Sequence, residues 1–205
     1  MSSYKQPAGD GGSVEFFSTS GNHFVKRVPE QTAISRTRTT KTGKTVHEEL
    51  YKSLTGVLRK AETRENEYGK EWVITLEHDE GKCVIQMQHG GRHIEAFAKR
   101  LEGVASGVPV TLAPYNIEDA ATGKTNTGIN ILQNGQKLPN LYTKDSGRSL
   151  PAMKKVRVNG KDVWDKEDYT AALDKLVTDW FAFVPPPAAG ASPAEPVGGV
   201  ELVLI

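Results

Sequence analysis

The chain has 205 residues, of which 37% are hydrophobic and 25% are charged, and this composition is typical of one globular domain with short appendages. Its 26 Lys and Arg residues nearly balance its 25 Asp and Glu residues, so the net charge of +1 excludes an argument for nucleic-acid binding from overall charge. The single cysteine, Cys83, excludes an intramolecular disulfide and favours a reducing interior, and no apolar run approaches the roughly 20 residues of a membrane span.

The first part of the chain, residues 1–43, predicts a flexible segment that contains a basic arm. Residues 1–13 are rich in Ser and Gly and contain few side chains that folding could bury. The stretch 32–46, TAISRTRTTKTGKTV, carries four cations and no acid, and its threonines favour extended backbone. Arg36 and Arg38 are the candidate phosphate contacts in this arm, which either closes over a bound strand or is a disordered tail.

The middle of the chain predicts consecutive β-strands. Residues 48–62 contain Glu and Leu that also suit a helix, but apolar and polar residues alternate around Gly56. A glycine inside a long strand permits the sharp bend that a small barrel needs. Residues 71–78 and 82–88 flank a short turn and predict a β-hairpin.

A helix and a second pair of strands follow the hairpin. Residues 94–101 place their apolar side chains on one stripe at helical spacing, which predicts a helix. Residues 108–117 and 127–132 predict two further strands. The dipeptide Asn159-Gly160 indicates a type I′ turn of a last hairpin, and a helix capped by Asp165 is expected after it.

The motifs of common enzymes are incomplete in this chain. Gly-Lys-Thr occurs at 43–45 and at 123–125, but the positions where a phosphate-binding loop needs its first glycine hold Arg38 and Glu118. The strand–loop–helix context is also missing. No nucleophile elbow and no acid–base pair of carboxylates is recognisable. We therefore expect no catalytic activity and no cofactor.

Three residues with metal-binding side chains lie close together in the sequence. Cys83, His89 and His93 together supply one ligand fewer than the four that a structural zinc site usually has, and no second cysteine is present. An isolated cysteine in a strand is usually buried. We interpret the group as a buried thiol followed by two solvated histidines, and we expect no metal site.

Cations and aromatic residues alternate through the β-rich middle. Single-stranded DNA binding requires cations that meet phosphates and exposed rings on which bases stack. Trp72 shares a strand face with Ile74 and Leu76, so it is either a core side chain or a stacking platform. The candidate nucleic-acid contacts are Arg36, Arg38, Arg59, Lys70, Trp72, Lys82, Gln86, Arg92, Tyr115, Tyr142, Lys144 and Arg148.

A long bent strand, a hairpin, a helix and another hairpin is the element order of the OB-fold, and residues 44–150 follow it. This chain resembles bacteriophage single-stranded DNA-binding proteins of the OB-fold type. The resemblance is carried by Gly56, Lys70-Glu71-Trp72, the 82–88 strand and the segment 154–165 before a helix. It implies a mainly β fold, a five-stranded OB-fold barrel with an inserted helix and a C-terminal hairpin plus helix, over residues 44–183.

The same resemblance implies a function. We expect a non-catalytic protein that binds single-stranded DNA with little sequence preference during phage DNA replication or recombination, in the cytoplasm of the bacterial host and without membrane contact. The alternative is a protein-interaction or assembly module of a phage particle. The near-neutral charge and the apolar C-terminal peptide favour that alternative.

The last segment, residues 184–205, departs from the family pattern of an acidic tail, because its acids are Glu195 and Glu201 alone. It predicts a Pro/Ala/Gly linker followed by an apolar peptide that adds as a strand to a sheet edge. That edge belongs to a replication or recombination protein, to the chain's own barrel, or to a neighbouring subunit, which would make a homo-oligomer. The expected partner contacts are Val200, Leu202 and Leu204.

Overall fold

The structure is a computed structural model of the chain and describes residues 13–120, 122–143 and 145–183. Twelve strands and two helices make up these ranges, so the prediction of a mainly β protein is confirmed. No helix within them is long and apolar enough to cross a membrane. Four predicted contact residues lie outside the described residues, namely Lys144, Val200, Leu202 and Leu204.

Ten strands form one sheet. In chain order they are β1 (Ser13–Ser20), β2 (His23–Val28), β3 (Arg36–Thr39), β4 (Thr45–Tyr51), β5 (Leu54–Asn66), β6 (Gly69–His78), β7 (Gly81–Gln88), β8 (Val110–Glu118), β9 (Thr125–Gln133) and β10 (Gln136–Lys137). Their spatial order is β10-β9-β8-β5-β6-β7-β1-β2-β4-β3. Neighbouring strands are antiparallel apart from β1 and β7, which run parallel.

Two helices and a separate hairpin complete the fold. Helix α1 (Arg92–Leu101) follows β7, and β11 (Lys154–Val158) pairs with β12 (Lys161–Asp165) before α2 (Glu167–Ala182). Asn159 and Gly160 have φ angles of 49° and 78°, the left-handed backbone that a type I′ turn requires. The N-cap of α2 is Lys166 and not the predicted Asp165, which lies one residue earlier and accepts a hydrogen bond of 3.0 Å from the backbone N–H of Glu167.

The single strand predicted over residues 48–62 is two strands. β4 pairs with β2 and β3, whereas β5 pairs with β8 and β6, so the chain changes neighbours between them. Gly56 lies where β5 itself changes partner, because residues 54–56 pair with β8 and the following residues pair with β6. A Cβ atom at Gly56 would lie 2.7 Å from the carbonyl oxygen of Glu77, so only glycine fits this bend without a shift.

The predicted closure into a five-stranded barrel is wrong. Strands β5 to β9 follow one another around α1 in the predicted order, but the sheet stays open. Closure would need the outer edge of β7 to meet the outer edge of β9. The outer edge of β7 is already paired with β1 over six residues and is therefore not available, whereas β10 pairs with only the last two residues of β9.

The prediction of a flexible segment over residues 1–43 lies outside the described residues for positions 1–12, and the structure differs from it from residue 13 onward. Residues 13–39 contain three strands of the same sheet that carries β5 to β9. Phe17 and Phe24 are 1% and 0% exposed, and Phe17 packs edge-on against Tyr51 with ring centroids 5.4 Å apart. Burial of these rings holds the N-terminal strands against the rest of the sheet.

The hydrophobic core lies where the helices pack on the sheet. α1 packs against β9 and β7, and α2 packs against α1 and β5. Phe97 and Leu101 on α1 are fully buried in this core, and Leu173 and Val177 supply the buried positions of α2. Residues near the start of each helix, Arg92 of α1 and Tyr169 of α2, line the same cavity.

Trp72 belongs to this core. Its side chain is 3% exposed, and its indole N–H donates a hydrogen bond of 2.9 Å to Asp174 of α2. The same carboxylate lies 2.7 Å from His89 and 3.6 Å from Lys70. Of the two roles expected for Trp72, the structure shows the core side chain. The ring of Trp72 is not accessible for stacking on a base.

Candidate nucleic-acid interface

Three cavities of about 480, 450 and 390 Å³ adjoin one another along α1 and the elements beside it. Arg92 lines both the first and the second cavity. Lys99 and Tyr169 line both the second and the third. The shared side chains show that the three cavities are neighbours, and we call the three cavities together the groove.

The groove is rich in cations and tyrosines. Among its described lining residues, six side chains are Lys or Arg, two are Glu and four are Tyr. This excess of cations contrasts with the near-zero charge of the whole chain. Taken cavity by cavity, these side chains are Tyr68, Lys70, Glu71, Arg92, Glu95, Lys99, Arg100, Tyr115, Lys166, Tyr169, Tyr142 and Arg148.

The first cavity lies between the β5–β6 turn, β7 and the start of α1. Tyr68 stands in the turn with 90% of its surface exposed, and its backbone N–H donates a hydrogen bond of 2.8 Å to Asn66. Lys70 follows on β6 with its side chain 45% exposed. The Gln86 amide donates a hydrogen bond of 3.2 Å to Glu71. The cavity therefore offers an exposed ring beside an exposed ammonium group.

The second cavity lies between α1, the β8–β9 hairpin and the start of α2. The guanidinium of Arg92 donates a hydrogen bond of 2.7 Å to the carbonyl oxygen of Thr125, which holds it at the rim. Tyr115 is half-buried, and the Lys137 ammonium lies 6.0 Å from the centroid of its ring. Within the described chain, neither Arg92 nor Lys166 forms a salt bridge, although the charge of Lys166 acts on Glu95 in the same cavity.

A hydrogen-bonded cluster joins the second and third cavities. Glu95 accepts hydrogen bonds of 2.6 Å from Lys99 and 2.5 Å from Tyr169, and the Lys99 ammonium lies 5.5 Å from the centre of the Tyr169 ring. Burial raises the pKa of Glu95, but the hydrogen bonds from Lys99 and Tyr169 outweigh it and lower the pKa below its ordinary value. The cluster stays ionised and fixes the orientation of the Tyr169 ring.

Arg100 supplies a buried positive charge behind the second cavity. Its residue surface is 9% exposed, and one guanidinium nitrogen, Nη1, donates a hydrogen bond of 2.8 Å to the Ala96 carbonyl oxygen. Its Nε atom has no hydrogen-bond partner within the described residues, and neither has the buried Oδ1 atom of Asn130 on β9. A buried charge without a carboxylate neighbour is costly for folding, and it makes the adjacent cavity attractive to anions.

The third cavity lies beside the segment after β10. Tyr142 donates a hydrogen bond of 2.5 Å to Glu102, and Arg148 forms an ion pair with the same carboxylate. Burial and the neighbouring charge of Glu102 raise the pKa of Tyr142 to about 12, so its hydroxyl is neutral at physiological pH. Tyr142 and Arg148 thus stand together, as a ring and a cation, at the end of the groove.

No protein-family model, curated protein or solved structure matches this chain. A function therefore has to be inferred from the groove itself. Its chemistry combines fixed cations and tyrosine rings along three neighbouring cavities, and cations with exposed rings are the features that bind a flexible polyanion with stacked bases.

The structure brings some of the predicted contact residues together and separates others. The groove unites a subset of those residues, namely Lys70, Gln86, Arg92, Tyr115, Tyr142 and Arg148. Arg59 instead forms an ion pair of 2.5 Å with Glu77, and Lys82 is exposed on β7 and lines none of the three cavities.

The basic arm predicted at residues 36–44 has a structural partner. Arg36 and Arg38 lie on β3 and donate hydrogen bonds of 3.0 and 2.8 Å to Glu48, which is 1% exposed on β4. The first part of the arm is therefore strand β3 of the sheet, and its two guanidinium groups compensate the charge of a buried carboxylate. Neither arginine lines the three cavities of the groove.

Several residues of the groove were missed by sequence reasoning. Tyr68 was detectable, because an aromatic side chain in a tight turn is usually exposed. Tyr169 packs in part against the hydrophobic core, but its hydroxyl bonds to Glu95 and its side chain lines the second cavity. Lys99, Arg100 and Lys166 gave no signal, since cations near helix termini are common and only the packing of α1 and α2 brings them together.

The residues considered for zinc do not form a metal site. Cys83 is buried on β7, and burial raises its pKa to about 11. His89 pairs with Asp174, and the Nε2 atom of His93 lies 2.9 Å from the Gly21 carbonyl oxygen. In the part of the chain that the structure describes, no three potential metal ligands gather.

Proposed function

We propose that this protein binds single-stranded DNA without catalysis and with little sequence preference, and that it acts in phage DNA replication or recombination in the cytoplasm of the bacterial host. The observation that carries the proposal is the groove, in which six cations and four tyrosines line three adjoining cavities within the described chain. Cations contact phosphates whatever the sequence, and every base has a face that stacks on a ring, which gives tolerant recognition.

The groove suggests a division of tasks among its side chains. Arg92, Lys166 and Lys70 are the cations most suited to phosphate contacts, because the first two form no salt bridge in the described residues and the third is only weakly paired at 3.6 Å. Tyr68 and Tyr115 are suited to stacking on bases. The ion-paired cations Lys99 and Arg148 would position tyrosines more than they would neutralise phosphates.

We also propose that β5 to β9 with α1 form a variant of the OB-fold. The supporting observations are the order of these elements and the return of β8 to pair with β5. In this variant β1 covers the edge of β7 by parallel pairing, so the arrangement stays open instead of closing. An open face beside α1 leaves room for the groove.

Fluorescence anisotropy with labelled oligo-dT, measured over a series of salt concentrations, tests the proposal. We expect affinity to fall steeply with salt, because each phosphate contact on a single strand contributes about 0.7 to the slope of log K against log salt. Arg92→Ala and Lys166→Ala should each weaken binding and reduce that slope by about 0.7. Lys82→Ala is the matched control, since it removes an exposed cation outside the three cavities.

Two outcomes would contradict the proposal. An absence of binding at low salt, or binding that does not respond to salt, would exclude a phosphate-based interface. A loss of affinity in Lys82→Ala as large as that in Arg92→Ala would place the strand elsewhere on the surface. Thermal unfolding of each variant checks that the comparison concerns folded protein.

The apolar surface of the β11–β12 hairpin favours a second candidate function, a protein-interaction or assembly module. Val156, Val158 and Val163 are 38%, 50% and 47% exposed. Light scattering of the full chain and of a version truncated before Pro185 compares their assembly states and tests the C-terminal peptide as the contact. A large change in assembly together with no affinity for oligo-dT would favour this candidate over DNA binding.

A further inference from the structure

The β11–β12 hairpin projects from the rim of the groove. Met153 immediately precedes β11, Lys166 immediately follows β12, and both side chains line the second cavity. Lys154 holds the base of the hairpin to α2 by an ion pair of 2.9 Å with Asp168. The two strands pack mainly on each other, and every residue of β11 and all but the last residue of β12 are exposed. The hairpin is therefore fixed at its base and exposed along its length.

The two faces of the hairpin differ in chemistry. The cross-strand pairs Lys155–Trp164 and Arg157–Asp162 lie on one face, since opposite residues of antiparallel strands point to the same side. Trp164 is 53% exposed, and the Lys155 ammonium lies 5.4 Å from its ring centroid. The other face carries the exposed valines, including the pair Val156–Val163. One face thus repeats the combination of ring and cations that lines the groove.

Strand alternation connects this face to the groove. Alternate positions counted from Met153 reach Lys155 and Arg157, and alternate positions counted back from Lys166 reach Trp164. Met153 and Lys166, which flank the two strands, line the cavity at the base of the hairpin, and the face that carries Trp164 begins two residues further along each strand. A two-stranded hairpin is marginally stable alone in water, so contact with a bound strand would stabilise it.

We propose that the β11–β12 hairpin is a flap that covers single-stranded DNA bound in the second cavity, with Trp164 stacking on a base and Arg157 contacting a phosphate. This inference rests on the proposed function and extends its site to residues outside the groove. Trp164 is the most exposed tryptophan of the described chain, because Trp72 is buried and Trp180 is half-buried against Phe181. Its fluorescence reports contact with DNA directly.

The test combines affinity with tryptophan accessibility. Trp164→Ala should weaken oligo-dT binding about tenfold, as loss of one stacking ring does, and Trp164→Phe should recover most of that loss. Val163→Ser is the matched control, because it alters the neighbouring residue on the opposite face and should bind like the unaltered protein. Oligo-dT should protect the unaltered protein from quenching by acrylamide and should protect Trp164→Phe much less.

The outcomes separate the flap from the proposed function. Trp164→Ala binding as tightly as the unaltered protein, while Arg92→Ala binds more weakly, would overturn the flap and leave DNA binding in the groove intact. Equal losses in Trp164→Ala and Val163→Ser would also overturn it, because the face would then not matter. An absence of oligo-dT binding by the unaltered protein would overturn both proposals.

Discussion

Glu48 is a buried carboxylate that pairs with Arg36 and Arg38 and contributes to the stability of the sheet. Burial of Glu48 on β4 would raise its pKa, but the hydrogen bond from Arg38 is the largest effect, and with the bond from Arg36 it lowers the pKa below the ordinary 4.5. An acid with a lowered pKa stabilises the fold while it is ionised. Its contribution is complete above pH 4.5 and is lost as the pH falls through the lowered value.

We therefore expect the Arg36→Ala/Arg38→Ala double variant to unfold at a lower temperature than the unaltered protein at neutral pH. The difference in stability should shrink as the pH falls below about 4.5, because protonation of Glu48 removes the charge that the arginines compensate. Thermal unfolding followed by circular dichroism over that pH range measures it.

The control for this prediction is Lys175→Ala, which removes a cation from the exposed i,i+4 pair with Asp179. Its effect should be small at every pH, since exposed ion pairs contribute little. A difference in stability between the double variant and the unaltered protein that stays constant as the pH falls would show that the arginines stabilise the sheet through packing rather than through Glu48.

We expect substitution of Arg100 to affect the free energy of unfolding and the affinity for oligo-dT in opposite directions. A buried charge without an ionic partner carries a desolvation penalty that no attraction offsets, so an apolar side chain of similar length at that position removes the penalty. Arg100→Met should therefore keep or raise the free energy of unfolding in urea, and it should weaken oligo-dT binding by removing charge behind the second cavity. Arg100→Lys, which retains the charge, should bind more tightly than Arg100→Met. A destabilised Arg100→Met variant with unchanged affinity would assign Arg100 a structural role instead.

At the scale of elements, the bend in β5 decides how the sheet is arranged. Because Gly56 lets the strand pass close to the Glu77 carbonyl group, the beginning of β5 pairs with β8 and the remainder pairs with β6. The register shift between Leu58 and Lys60 adds to this change of direction. One strand thereby joins the two hairpins that flank α1.

Gly56→Ala should reduce the free energy of unfolding by about 1–3 kcal/mol, because a methyl group 2.7 Å from the Glu77 oxygen forces the backbone apart. Urea denaturation followed by circular dichroism measures this change. Val57→Ala is the control on the same strand, at a half-buried position where truncation should cost less. Equal stability of Gly56→Ala and the unaltered protein would mean that the bend does not depend on the missing Cβ atom.

The hairpin predictions succeeded because they depend on local chemistry. The type I′ turn at Asn159-Gly160 follows from two residues that tolerate positive φ angles, and α1 follows from apolar spacing within one segment. The long strand predicted over residues 48–62 failed for the opposite reason. Nothing in its sequence pattern marks the end of β4 at Tyr51. The two strands are distinguished by their partners, because β4 pairs with β2 and β5 pairs with β8.

At the scale of the whole molecule, the distribution of charge over the surface depends on the fold and not on the overall composition. The net charge is +1, yet many carboxylates, such as Glu48, Glu77 and Glu62, pair with arginines and lysines away from the groove. Arg92, Arg100 and Lys166 form no salt bridge within the described residues and meet at one cavity. A neutral chain can therefore present a local cationic path to a polyanion.

The sequence by itself determined the mainly β class, the order of elements from β5 to β9 around a helix, and the final hairpin and helix. Local periodicity and turn chemistry carry that information. Only the tertiary structure decided that β1 occupies the edge of β7, that Trp72 is buried, and that Arg36 and Arg38 face Glu48. These outcomes depend on contacts between residues distant in the chain, for which a single sequence contains no local signal. The candidate groove is of the same kind, because its cations and rings come from separate elements that meet only when α1 and α2 pack on the sheet.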